Sequence, residues 1–187
     1  MEPRATSLKL NYEDFLYFPE DGKRHELIDG DHYVTAAPNL KHQTVVGNLN
    51  LLLLAFVRAS RLGKVWASPV DVLLSDHDVV EPDLVFLSRD RMDLAADGAK
   101  IAGPPDLVIE VLSPSTRRKD AITKRHLYEK FGVGEYWLVD PELETIEVYR
   151  LRRGNFRREA ELSAERADVL KSPLFPGLEI AVAEVFA

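Results

Sequence analysis

Two acids in this sequence could do chemistry, and one of them stands where an idle charge would be strongly destabilising. Glu110 lies inside Leu107-Val108-Ile109-Glu110-Val111-Leu112, a run that otherwise reads as a fully buried strand. Asp83 follows Pro82 at the head of Leu84-Val85-Phe86-Leu87. An ionised carboxylate in a dry strand must be paired, protonated or bound to a cation. Side chains alternate along a strand, so Val108, Glu110 and Leu112 share one face, and Glu81, Asp83 and Val85 share another. If the two strands are neighbours, Asp83 and Glu110 converge on one point. Hard oxygen ligands without a cysteine or a histidine cluster suit Mg²⁺ or Mn²⁺.

The helix that follows supplies an amine. At about 100° per residue, Arg117, Asp120, Ala121, Lys124, Leu127, Tyr128 and Phe131 fall on one face. Arg118, Lys119, Arg125, His126, Glu129 and Lys130 lie opposite, in solvent, with Ile122 as the misfit. A strand-to-helix connection folds the inward face back over the sheet that carries Glu110. Lys124 is thereby aimed at the carboxylates, to neutralise one of them or to act on an attacking water beside a bound cation.

These groups need a scaffold, and the chain patterns predict one. Asn11 caps a short helix in "NYEDFLYFPEDG", which Pro19 and Gly22 end. "HELIDGDHYVTAAP" reads as two strands around Asp29-Gly30, a hairpin signal. Asn39 caps a long helix running to about Arg61. "KVWASPVDVLLS" and "VVEPDLVFLS" read as a strand pair joined at Asp76-His77-Asp78. "DRMDLAADGAKI" reads as a loop with a helical turn in it. The helix after Glu110 opens at Ser115 or Thr116 and closes at Gly132. Next comes a β-meander with turns at Asp140-Pro141 and Gly154-Asn155. The tail from Ser172 returns as a strand or a short closing helix. Helix, strands, helix, strands predicts an α/β fold with a mixed central β-sheet flanked by helices, in one domain spanning residues 1–187.

Composition sets the bounds. The 187 residues carry 45% hydrophobic and 29% charged side chains, the balance of an ordinary globular protein. "LNLLLLAF" is too short to span a bilayer, and no basic-then-apolar leader opens the sequence, so the expected location is the cytoplasm with no membrane partner. The absence of cysteine removes disulfides, thiolate nucleophiles and Cys-based zinc sites. A formal charge of −7 argues against indiscriminate nucleic-acid binding. Two stretches are nonetheless basic: five arginines between Arg150 and Arg158, and five cations between Arg117 and Arg125. No HExxH or HxH spacing, Walker sequence or G-x-S-x-G elbow occurs. His42 reads as a core or cap histidine, and Asp106 as a turn residue at the mouth of its strand.

"EPDLVFLS", "PDLVIEVLSPSTRRKD" with the lysine and tyrosine that follow, and "GVGEYWLVDPELETIEVYRL" together resemble the Uma-type putative restriction endonuclease family of the PD-(D/E)xK nuclease superfamily. The resemblance runs from Tyr12 to Tyr149. It implies a restriction-endonuclease-like core with the site at one sheet edge. Pro82-Asp83 then supplies the "PD" and Glu110 the acid of "(D/E)xK". Leu112 stands where the lysine belongs, and the superfamily is known to move that lysine to the next helix, where Lys124 is the candidate. Glu26 matches an N-terminal acid often found near such sites.

The expected function is therefore a Mg²⁺- or Mn²⁺-dependent endonuclease acting on DNA. Asp83, Glu110 and the Val111 carbonyl would hold the metal, with Lys124 and Glu26 beside it. The arginine-rich meander would supply phosphate contacts, and a homodimer would cut both strands. Leu112 favours a different expectation, a nuclease-derived DNA-binding or assembly module without turnover. A hydrolase of smaller phosphoesters is a third possibility.

Overall fold

The computed structural model describes residues 8–35, 37–114 and 117–187. Asn11 caps α1 (Tyr12–Phe15) in a reciprocal capping box with Asp14. The Asp29-Gly30 turn joins β1 (Arg24–Ile28) to β2 (Asp31–Thr35), with both turn residues at positive φ as a tight hairpin requires. Asn39 caps α2 (Leu40–Ser60), its side chain accepting from the His42 amide. Val45, Leu49, Leu53 and Val57 form the buried stripe of that helix.

The next two segments differ from the simple strand pair that their patterns predict. Each splits in two, giving β3 (Gly63–Ala67) and β4 (Val72–Ser75), then β5 (Asp78–Val80) and β6 (Leu84–Ser88). β4 and β5 pair around Asp76-His77, while β3 pairs with β6 in a different sheet. Pro69 and Pro82 lie at the two crossings. Neither has an N–H to give a ladder, so each run breaks there and the chain steps from one sheet to the other.

A 3₁₀ stretch at Arg89–Ala95 and a short β7 (Ile101–Ala102) lead into β8 (Leu107–Val111). A π turn at Lys119–Lys124 runs directly into α3 (Arg125–Phe131), which Gly132 ends in the left-handed conformation. The predicted start of this helix at Ser115 or Thr116 lies outside the described residues. The meander follows as β9 (Glu135–Asp140), β10 (Thr145–Arg152) and β11 (Asn155–Ser163). After β12 (Val169–Leu170), the tail is both strand and helix: β13 (Ile180–Ala181), then α4 (Val182–Phe186).

Among the described residues, one sheet has the order β11-β10-β9-β8-β6-β3, a second β2-β1-β5-β4-β7, and a third pairs β12 with β13. β8 and β9 are parallel, and the other pairs of the six-stranded sheet are antiparallel. Alternation divides β8 as its pattern requires. Leu107, Ile109 and Val111 pack with the α2 stripe, whereas Val108 faces the cluster containing Tyr128 and Leu138. Glu110 therefore points toward the π turn and α3, and Leu112, where the lysine would stand, packs into the same apolar cluster. No helix among the described residues is long and apolar enough to cross a membrane.

Candidate functional site

β6 and β8 are antiparallel neighbours, with Leu84 opposite Ile109. Extending that register by one residue sets Asp83 opposite Glu110, and the Val111 amide donates to Asp83 Oδ2 at 2.8 Å. Both acids are buried, and both line one cavity of ≈190 Å³. Glu26 reaches that cavity from β1, in the other sheet, and Lys124 reaches it from the π turn. The structure thus gathers the predicted residues Glu26, Asp83, Glu110, Val111 and Lys124 around one space.

Lys124 is the hub. Its Nζ lies 2.5 Å from Glu26 Oε1, 2.9 Å from Glu110 Oε1 and 3.7 Å from Asp120 Oδ1. Tyr128 also donates to Glu110 Oε1, at 2.7 Å. Burial alone would lower the ammonium pKa, but Glu110, Glu26 and Asp120 raise it, so the amine stays charged. The acids respond in opposite directions. Burial would raise Glu26, but Lys124 and Lys119 overcome it and hold the carboxyl at about 2. Burial pushes Glu110 up to about 8, with Asp120, Asp83 and Glu26 adding to the rise against Lys124.

Three side chains enter the site that the sequence did not assign to it. Arg24 donates to Asp83 Oδ1 at 2.9 Å. His42 Nε2 stands 3.2 Å from Asp83 Oδ2, so this residue is more than a cap or core histidine. Burial opposes ionisation of Asp83, and His42, Arg24 and the Val111 amide outweigh it to keep its pKa low. Arg24 was legible in principle, since it lies two residues before Glu26 and shares its strand face.

Lys119 is the third, and it corrects the helical reading that put it in solvent. Its Nζ bonds Glu26 Oε2 and Thr35 Oγ1, both at 2.8 Å. In an α-helix, residues five apart diverge by about 140°. The i→i+5 bonding of a π turn widens the coil and brings Lys119 and Lys124 to the same side. Arg117 departs the other way. It is exposed and forms a bidentate pair with Asp140, at 2.5 and 3.0 Å.

The remaining candidates have structural partners. Asp106 accepts from the Ser88 amide and from Arg91. Within the meander, Arg150 pairs with buried Glu135 at 2.7 Å, Arg152 with Glu159, and Arg158 with Glu161 and Glu147. Much of that apparent positive patch is neutralised by its own sheet.

Asp83 and Glu110 offer the oxygen donors that a small hard divalent cation prefers. Among the described residues no three Asp, Glu or His side chains already form a complete ligand set. Two carboxylates with water and a substrate oxygen are the usual company of Mg²⁺, so the donor types fit, and an ion would have to displace Arg24 and Lys124 from the oxygens they hold.

No curated protein matches the chain significantly. Among solved structures, a putative nuclease belonging to DUF820 from Anabaena variabilis superposes with a TM-score of 0.79 at 22% identity, covering 95% of this chain and 97% of that one. That likeness establishes the fold as restriction-endonuclease-like, with mixed sheets flanked by helices. The family model described as Uma2, putative restriction endonuclease, matches residues 12–183, and the chain belongs to that family.

Proposed function

We propose that the protein is a divalent-cation-dependent endonuclease that hydrolyses DNA phosphodiester bonds from a PD-(D/E)xK-type site. The observation that carries this reading is the meeting of Asp83, Glu110 and Lys124, from separate stretches of chain, around one small cavity. Family membership and fold agree with it. Lys124 takes the part of the lysine that Leu112 replaces.

Asp83 and Glu110, with the Val111 carbonyl, would hold Mg²⁺ or Mn²⁺. When bound, such an ion supplies Lewis-acid polarisation of the phosphate and a water of lowered pKa. Lys124, fixed and kept charged by Glu26, donates hydrogen bonds toward the attacking water and the phosphate oxygens. Glu26 positions that amine and takes no part in the bond changes. Lys119, which lines the cavity and pairs with Glu26, contacts a phosphate of the incoming strand in addition to that carboxylate. A homodimer brings two such sites to one duplex.

Plasmid nicking with Mg²⁺ or Mn²⁺ tests the reading. The parent should nick, and Asp83→Asn and Glu110→Gln should fall to background while remaining folded. Nicking by those variants at the parental rate, or none by the parent, overturns it. A second reading, a DNA-binding module without turnover, draws on Leu112 and on the cations that cover the carboxylates. Its signature is cation-dependent DNA binding that needs Asp83 and Glu110 yet yields no nick.

A further inference from the structure

A second, larger cavity of ≈400 Å³ adjoins the first. The two share a wall made by Arg24, Ala37, Pro38, His42 and Asp83. The smaller space suits an ion and a phosphate, whereas the larger falls in the size range of sites that take whole small molecules, about 300 Å³ and above. Its lining is of mixed character. Pro38, Pro69 and Val46 give flat apolar walls, while Gln43, Ser68 and Glu81 give hydrogen-bonding groups of both senses.

His42, a residue of the shared wall, carries a polar atom without a partner. The residue is only 5% exposed, and its Nδ1 has no hydrogen-bond partner among the described residues. Nε2 faces Asp83, so it carries a hydrogen, and Nδ1 is left to bond something else. An orphaned buried polar atom of this kind is unusual.

We propose that the larger cavity is a nucleoside subsite, which takes the sugar and base flanking the scissile phosphate out of the base stack. A nucleoside offers what the walls ask for: a flat heterocycle for the proline rings and a donor–acceptor edge for Gln43 and Glu81. Its sugar or base also brings polar groups within reach of the shared His42 wall. The inference rests on the nuclease reading and narrows its substrate. A strand whose base is already unpaired avoids the unstacking cost, so single strands, bulges and frayed ends should be preferred over intact duplex.

The test is binding with Ca²⁺ in place of Mg²⁺, alongside cleavage with Mg²⁺. The probes are one oligonucleotide as a single strand, as an intact duplex, and as a duplex with one bulged nucleotide. The single strand and the bulge should bind about tenfold tighter than the intact duplex at matched salt. Gln43 is exposed on α2, so Gln43→Trp can fill the cavity without disturbing the core. It should abolish the preference while leaving the weaker duplex binding, with the thermal midpoint confirming the fold. Equal or tighter binding of intact duplex, or a preference that survives Gln43→Trp, overturns the subsite. Cleavage of intact duplex without preference would leave the nuclease reading standing and remove this inference alone. Failure to bind or cut any of the probes would overturn both.

Discussion

Lys119 and Lys124, five residues apart, close on the two oxygens of a single carboxylate, Glu26, at 2.8 and 2.5 Å. Their environments divide their work. The Lys124 side chain is 1% exposed and also holds Glu110, whereas that of Lys119 is 15% exposed.

Replacing each lysine should therefore give a different phenotype. Lys124→Met removes the buried cation shared by Glu26, Glu110 and Asp120 and should cost about 3–5 kcal/mol in urea unfolding. Lys119→Met should cost about 1 kcal/mol, since Lys124 still holds Glu26. It should also lower the slope of log affinity against log salt for duplex DNA by about 0.9, one phosphate contact. An unchanged slope would remove Lys119 from the phosphate-binding set.

The two buried glutamates set two limbs of a stability–pH curve. Glu26 lies at about 2 against 4.5 for the free side chain, so its contribution is complete above pH 4.5 and is lost as pH falls toward 2. At about 1.4 kcal/mol per pH unit, that limb is on the order of 3 kcal/mol. Glu110, at about 8, holds a proton in the folded state that the unfolded state has released, so stability declines as pH rises from 4.5 to 8. Glu81, raised to about 7 by burial and by Asp71, adds to the second limb below pH 7. Chemical denaturation across this range should show Glu26→Gln flattening the acid limb and Glu110→Gln flattening the alkaline one. A second limb that persists in Glu110→Gln above pH 7 would contradict the assignment.

Arg150 should behave as a stability residue. Its Nε bonds Glu135, whose other oxygen accepts from Trp137 and Ser172. Arg150→Met should lose about 1.5–3 kcal/mol in thermal or urea unfolding while leaving the salt slope of DNA binding unchanged. A shallower slope would return the meander to the DNA-binding surface.

Two glycines should diverge on substitution. A Cβ on Gly63 would lie 2.0 Å from the Leu87 carbonyl oxygen, so Gly63→Ala must push β3 away from β6 and should cost more than about 1 kcal/mol. Gly47 on α2 has open space around it, and Gly47→Ala should gain about 0.5–1 kcal/mol from helix propensity. Paired thermal melts compare them directly.

The parts of this structure that local chemistry determines were readable in the sequence. Asn11 and Asn39 announce their helices, Asp29-Gly30 its hairpin, and the isolation of Glu110 among apolar residues its need for a partner. Alternation placed Asp83 and Glu110 on converging faces, and helical periodicity turned Lys124 inward. What escaped depends on partners distant in sequence or on broken periodicity. A π turn leaves no mark that a 100° rule can detect, so that rule turns Lys119 to the wrong side. The prolines at 69 and 82 were visible, but the second sheet that they serve was not. The arginines of the meander read as a free patch because their glutamate partners emerge only when β9, β10 and β11 lie side by side.

The ammonium and guanidinium groups that balance the buried acids belong to the polypeptide itself. A fold compensated from within has no need to wait for an ion to complete it. On the reading proposed above, chelation should therefore silence the protein without melting it, and a thermal midpoint unmoved by a chelator checks that expectation.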